Sequence, residues 1–235
     1  MRRQMRAVVL DLFGTLSDPA AEVLRRAVVA DTARALGVAE QEFWRHWRSS
    51  FRDRIIGRHG DTRQTLTFLA GACGATPTRA QFEHALHVHL QGAERLRAPR
   101  AGALGVLIEL RRRGFAIGVL SDCSSEVVEG WSDSPYRDLV DAAVLSWQEG
   151  RRKPDPQLFA TVATRLQVPP GTCWYVGDGA GRELSGARDA GMTPIVVTNA
   201  LVPQAAGHRA DPDDYTPQHQ IPDLPDLLGL VRSAS

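Results

Sequence analysis

The sequence predicts an α/β protein, a parallel sheet between layers of helices with a block of extra helices inserted after the first strand. Three observations carry this expectation. Short, continuous apolar runs rich in β-branched residues recur along the chain. Helical apolar periodicity separates the later runs. The interval between the first two runs, roughly a hundred residues, is far longer than a normal crossover.

The first run is Ala7–Leu10, leading into Asp11; the others are Phe115–Leu120, Ala142–Leu145, Cys173–Val176 and Pro194–Val197. Runs without polar alternation fit strands buried on both faces. Ahead of the second run, Leu104, Leu107 and Ile108 share a helical face. Arg111, Arg112 and Arg113 then crowd the last turn before Gly114, as the helix dipole and a C-terminal glycine favour. Phe159, Val162 and Leu166 repeat at helical spacing until Pro169-Pro170-Gly171 stops them. Strand–helix alternation implies right-handed crossovers, and hence a Rossmann-like, three-layer α/β/α core. Within the long interval, Leu24, Ala27, Val28 and Leu36 precede Gly37, and Phe82, Leu86 and Leu90 form another face. The expected division is a core of residues 1–16 and 96–235, with residues 17–95 a helical insertion over the sheet's ligand edge. Beyond Asn199 the chain is rich in Pro and Asp, and Leu224, Leu227, Leu228 and Leu230 predict one last short helix.

Composition narrows the function. Of 235 residues, 28 are Lys or Arg and 27 Asp or Glu, a formal net charge of +1, which gives no case for nucleic acid or a membrane surface as partner. Among the 28 cations only Lys153 is lysine, a hint, which needs an independent motif, of a position that calls for a compact ammonium in place of a planar guanidinium. Hydrophobic residues are 43% and charged residues 23%, an ordinary globular balance. No apolar stretch approaches the roughly 20 residues that cross a bilayer. The basic Met1–Arg6 is followed by an apolar run that breaks at Asp11, so no secretory signal is expected. Cys73, Cys123 and Cys173 form no CxxC pair and read as reduced thiols of a cytoplasmic protein.

In parallel α/β sheets, ligands bind beyond the carboxyl ends of the strands. The first run ends in Asp11-Leu12-Phe13-Gly14-Thr15, the second in Ser121-Asp122; Lys153-Pro154-Asp155-Pro156 follows the third, and Gly177-Asp178-Gly179, with Glu183 beyond, closes the fourth. One edge therefore gathers a carboxylate, small hydroxyls, an ammonium and a second carboxylate pair.

In this order the set resembles the haloacid dehalogenase-like hydrolase superfamily, from Asp11 to about Gly191, with the insertion as its cap. The resemblance implies Asp11 as a nucleophile forming an aspartyl intermediate. Thr15 and Ser121 would bond the transferring group, and Lys153 would hold the nucleophile's charge. Asp11, Asp178 and the Phe13 carbonyl would bind Mg²⁺, with Glu183 supporting the metal or reaching it through water. Physically, carboxylates converging on a dianionic substrate require intervening cations.

Bland readings stand beside these. Asp11 also serves as a turn cap, Lys153 as a solvated cation and Gly177-Asp178-Gly179 as a simple turn. Asp155 before Pro156 reads as a helix N-cap. Cys123 reads as packing. His84, His87 and His89 alternate with apolar residues and lack a completing ligand, which argues against a metal site.

Two positions depart from the phosphatase pattern. Phe13 stands where most phosphatases of the superfamily carry an acid/base Asp, and phenylalanine transfers no proton. An aromatic there is similar to the L-2-haloacid dehalogenases, which use no metal. Asp122 replaces a commoner Asn and would favour a cation or a basic substrate group. Trp47-Arg48 matches the dehalogenase pair that supplies a halide-binding arginine; it reads equally as part of an amphipathic helix with its arginine solvated, and Arg48 would also suit a phosphate or carboxylate. The expected function is a Mg²⁺-dependent phosphatase of a small, anionic metabolite, as monomer or homodimer. A metal-independent 2-haloacid dehalogenase stands second and a catalytically silent binding protein third.

Overall fold

A computed structural model describes residues 6–200 and 211–232. The basic segment Met1–Met5 lies outside them. Six strands form one all-parallel sheet in the order β3-β2-β1-β4-β5-β6: β1 Ala7–Leu10, β2 Ala116–Ser121, β3 Ala142–Leu145, β4 Cys173–Gly177, β5 Thr193–Val197 and β6 His219–Ile221. The chain thus has the Rossmann-like α/β architecture its apolar runs predict. β6 is the addition, a polar three-residue edge strand with no apolar run to announce it.

Successive strand residues point to opposite faces, so the sheet divides its apolar side chains between two layers. Val8, Leu10, Ile117 and Val176 pack on one face with Leu107 and Leu110 of α6 (Ala103–Arg112) and Leu227 of the terminal α11 (Leu227–Leu230). On the other face, Val9, Leu120 and Tyr175 meet Phe159 and Val162 of α9 (Pro156–Arg165) and Leu184 of α10 (Glu183–Asp189). Asp155 caps α9, its carboxylate accepting the Gln157 amide at 2.9 Å.

Between β1 and α6 the chain forms α1 (Arg25–Leu36), α2 (Glu40–Ser49), α3 (Phe51–Arg54), α4 (Thr62–Ala72) and α5 (Arg79–Leu96). Capping boxes at Asp61/Gln64 and Thr78/Gln81 start the last two. These helices enclose a third apolar cluster, with Val29, Phe43, Trp47 and Leu66 among its buried members. The expected faces need correcting here. Leu24 and Ala27 are exposed, and α1 buries Val28, Val29, Ala33 and Leu36. On α5, the buried positions are Ala85, His89, Gly92, Ala93 and Leu96, while Phe82, Leu86 and Leu90 flank them half-buried. A glycine stands where α1 approaches closely: a Cβ on Gly92 would lie 2.3 Å from Val28 Cγ1.

Polar contacts fasten this helical layer to the loops beyond β2 and β3. The Thr62 amide donates to Glu129 Oε1 (2.9 Å) and its hydroxyl bonds Ser125 Oγ (2.8 Å). Both lie on α7 (Ser125–Glu129). Ser146 donates to the Ile55 carbonyl (2.6 Å) and Trp147 to that of Gly60 (3.0 Å), both from α8 (Ser146–Glu149). Among the described residues, no helix is long and apolar enough to cross a membrane.

Candidate active site

The strand order makes the site. β1 lies between β2 and β4, and Leu10 pairs with both Val119 and Val176. The residues that follow, Asp11, Ser121 and Asp178, therefore emerge at one edge. The Asp11 amide extends the ladder by bonding the Val176 carbonyl at 2.9 Å. The chain then turns through Leu12–Leu16, with Phe13 extended and Gly14 at φ 78°. Only glycine serves at Gly14: a Cβ would meet Asp178 Oδ2 at 2.8 Å, in a backbone conformation that side chains resist.

Lys153 sits at the centre of the cluster, 2% exposed. Its Nζ donates to Asp11 Oδ1 at 2.6 Å and to Glu183 Oε2 at 2.5 Å. Glu183, wholly buried, also accepts the Tyr175 hydroxyl at 2.8 Å and, on Oε1, the Gly179 amide at 2.9 Å. A tight turn aims it there. Gly179, Gly181 and Arg182 all adopt positive φ, so the chain folds back and starts α10 beneath the strand ends. Gly177 leaves the room, since a Cβ there would stand 2.1 Å from Glu183 Oε1. Asp178 Oδ1 accepts the Ala180 amide at 2.9 Å. Asp122 Oδ1 accepts the Lys153 amide at 2.9 Å, anchoring the lysine's own backbone.

Asp11, Asp178 and Glu183 each offer a carboxylate oxygen, the three lying within 4.8 Å of one another. Burial, then the charge of Glu183, drives Asp11 well above the usual carboxylate range, against the pull of Lys153. Burial disfavours the lysine's charge, yet Asp11 and Glu183 outweigh it and hold the ammonium protonated. Three carboxylates gather beside one ammonium in a buried space. That donor set, all hard oxygen, fits a small divalent cation. Thr15 Oγ1 and Ser121 Oγ are buried at the same edge without hydrogen-bond partners among the described residues. Buried hydroxyls left unpaired are costly, and a bound oxyanion would satisfy both.

Asp122 titrates out of its usual range as well. Burial raises it to about 6. The folded protein therefore binds this proton more tightly than the unfolded chain does. The associated stability is complete below about pH 4 and is lost as pH rises through about 6. Asp122→Asn keeps an oxygen for the Lys153 amide and removes the charge. In EDTA at pH 8 it should be more stable than the parent by about 1–2 kcal/mol, with the difference vanishing at pH 4. Urea unfolding at the two pH values checks this, and equal stabilities at both would contradict it.

The expected cap pair is placed elsewhere. Trp47 is buried in the helical layer, stacked with Phe43 and edge-on to His89. Arg48 is exposed, bordering a surface cleft with Glu42, Trp44 and Arg45 that includes none of the strand-end residues. The cation that turns inward is Arg54. Phe13, half-buried, lies under the Arg25 guanidinium, 5.4 Å from its ring centre. His84 and His87 are exposed, while His89 is buried against Thr32. Tyr175 escaped the sequence reading because it sits inside an apolar strand; the available signal was that a buried tyrosine needs a hydroxyl partner. Cys123 is buried, its thiol pushed up by desolvation, and so inert.

Residues 5–191 match the haloacid dehalogenase-like hydrolase family. The chain belongs to that family. Among its relatives, a glyceraldehyde 3-phosphate phosphatase of Methanopyrus kandleri is 25% identical over 237 residues, covering 97% of each chain. An (S)-2-haloacid dehalogenase of Pseudomonas sp. (strain CBS-3) is 25% identical over 238 residues, 97% of this chain and 96% of that one. In fold it is similar to 2-haloacid dehalogenase from Pseudomonas syringae pv. Tomato DC3000, with a TM-score of 0.68 at 24% identity, covering 96% and 97% of the two chains. The chain is a hydrolase of this family, and both phosphatases and dehalogenases are among its relatives.

Proposed function

We propose that the protein is a Mg²⁺-dependent phosphohydrolase acting on small phosphorylated metabolites, with Asp11 as nucleophile. The observation that carries this reading is the buried group of three carboxylates, Asp11, Asp178 and Glu183, gathered within 4.8 Å of one another beside Lys153. Asp11 and Asp178 would hold the ion, which supplies charge neutralisation at the phosphoryl oxygens when bound. Glu183, with its oxygens already bonded to Lys153, Tyr175 and Gly179, holds the ammonium in place.

A carboxylate oxygen of Asp11 attacks phosphorus as the bond to the ester oxygen breaks, giving an aspartyl phosphate and the alcohol. Thr15 and Ser121 donate to the phosphoryl oxygens, and Lys153 offsets charge shared between nucleophile and phosphate. Water then displaces the phosphate and restores Asp11. Phe13 holds no proton, so water or a substrate hydroxyl protonates the departing alkoxide, and esters with good leaving groups turn over fastest. Residues 17–95 act as a cap over this edge, and the reduced thiols suit a cytoplasmic enzyme.

A metal-independent 2-haloacid dehalogenase is the second reading, favoured by Phe13, because halide departs unprotonated. Against it, a haloacid anion would add a further negative charge to the three carboxylates. Phosphate release from an aryl phosphate and halide release from 2-chloropropionate, each with Mg²⁺ and with EDTA, separate the two. Phosphate release abolished by EDTA is expected. EDTA-insensitive halide release would overturn the proposal.

A further inference from the structure

Among the described residues, three long cations are buried: Lys153, Arg100 and Arg54. Lys153 pairs with Asp11 and Glu183, and Arg100 with Asp223 at 2.8 Å. Arg54, 2% exposed, makes no ion pair among the described residues. Its guanidinium lies 3.7 Å from the centre of the Trp47 ring. Nε donates to Ser50 Oγ (3.2 Å), Nη1 to Ser124 Oγ (3.0 Å) and Nη2 to the Trp47 carbonyl (2.9 Å). A guanidinium has five N–H donors, so two remain unused. Burying a charge without a counter-ion is costly, and burial draws this arginine down to about 10.

Its position is as informative as its missing partner. Ser124 lies in the loop three residues beyond Ser121, the last residue of β2, whose hydroxyl is left without a partner among the described residues. The next residue, Ile55, is held by Ser146, which also accepts the Cys123 amide at 2.9 Å. Arg54 is thereby fixed against the loop beyond β2. Glu126 and Arg25 both act on it electrostatically, with opposite signs, and neither is bonded to it.

We propose that Arg54 binds a carboxylate of the substrate, so that the enzyme's substrates are small phosphate esters that also carry a carboxylate. A fork with two spare donors matches that group's two oxygens, and one carboxylate balances one unpaired guanidinium. The ring of Trp47 and the three fixed hydrogen bonds hold the fork oriented before the substrate arrives. This rests on the phosphatase reading and extends it from the reacting group to the rest of the molecule.

Calorimetric titration of the Mg²⁺-loaded protein with non-hydrolysable phosphonates tests it. Phosphonoacetate carries the carboxylate, ethylphosphonate nothing in its place, and methylenediphosphonate a second phosphonate. Phosphonoacetate should bind at least ~10-fold more tightly than ethylphosphonate, the fold-change expected of a charge-assisted hydrogen bond, and more tightly than methylenediphosphonate. In Arg54→Gln the ratio of phosphonoacetate to ethylphosphonate affinity should fall to within about twofold, and Arg54→Lys, which keeps the charge without the fork, should lie between. A merely structural arginine would weaken both ligands alike and leave the ratio unchanged, which would overturn the proposal. Equal binding of the two by the parent protein would overturn it without any variant, as would a preference for the diphosphonate. Binding of no phosphonate at all would sink the phosphatase reading and this proposal with it.

Discussion

Asp11→Asn should abolish turnover while leaving the protein folded. The amide is nearly isosteric with the carboxylate, but it is no nucleophile and forms no acyl phosphate. Loss of a nucleophile that acts as a unit with its neighbours costs on the order of 10³–10⁶-fold in rate. The fold should tolerate the change because Asp11 is one of three carboxylates that repel one another in a buried space, and Lys153 keeps Glu183 at 2.5 Å. Steady-state rates, thermal midpoints and intact mass after acid quench together check this. The parent should show a phosphorylated adduct under substrate, and the variant none. Residual activity above about a tenth of the parent's would remove Asp11 from the nucleophile's role.

Lys153→Arg should fail to restore function although it keeps the charge. The ammonium meets Asp11 and Glu183 at 2.6 and 2.5 Å from a single nitrogen, at a site 2% exposed. A planar fork spreads its charge over three nitrogens and cannot set one compact charge against both carboxylates as the ammonium does. Displacing the nucleophile's partner by even an ångström costs about 100-fold, so an arginine enzyme should lose at least that. Lys153→Met should go further and destabilise the metal-free protein by about 3–5 kcal/mol, since it leaves buried carboxylates uncompensated. The raised proton affinity of Asp11 means the deficit should shrink as pH falls and widen as it rises. Kinetics of the arginine variant and denaturant unfolding of the methionine variant decide the matter. Near-parental activity with arginine would contradict the requirement for an ammonium.

Much of the core was legible for a simple reason. A strand buried on both faces must be apolar throughout, so β1 to β5 announce themselves within a residue of their ends. β6 did not, because an edge strand of three residues, His219-Gln220-Ile221, is not required to be apolar. The helices over the sheet were legible as helices, but their buried faces were not. On α5 the pattern pointed to Phe82, Leu86 and Leu90, whereas the buried positions lie beside them, with α1 approaching closely at Gly92. Periodicity reports where apolar bulk lies, not how near the partner helix comes.

The chain's local chemistry and order therefore determined the fold class and the set of strand-end residues, Asp11, Thr15, Ser121, Lys153, Asp178 and Glu183. Parallel topology brings strand ends to one edge, so a list in sequence becomes a cluster in space. Which arginine of the helical layer turns inward was decided only in three dimensions. Arg48 and Arg54 stand six residues apart among similar neighbours. Arg48 stays in solvent, and Arg54 is buried because Ser124, 70 residues away, and the Trp47 ring receive it. The Tyr175–Glu183–Lys153 bonding arose in the same way. A charged side chain leaves water only where partners already wait, and those partners come from distant parts of the chain.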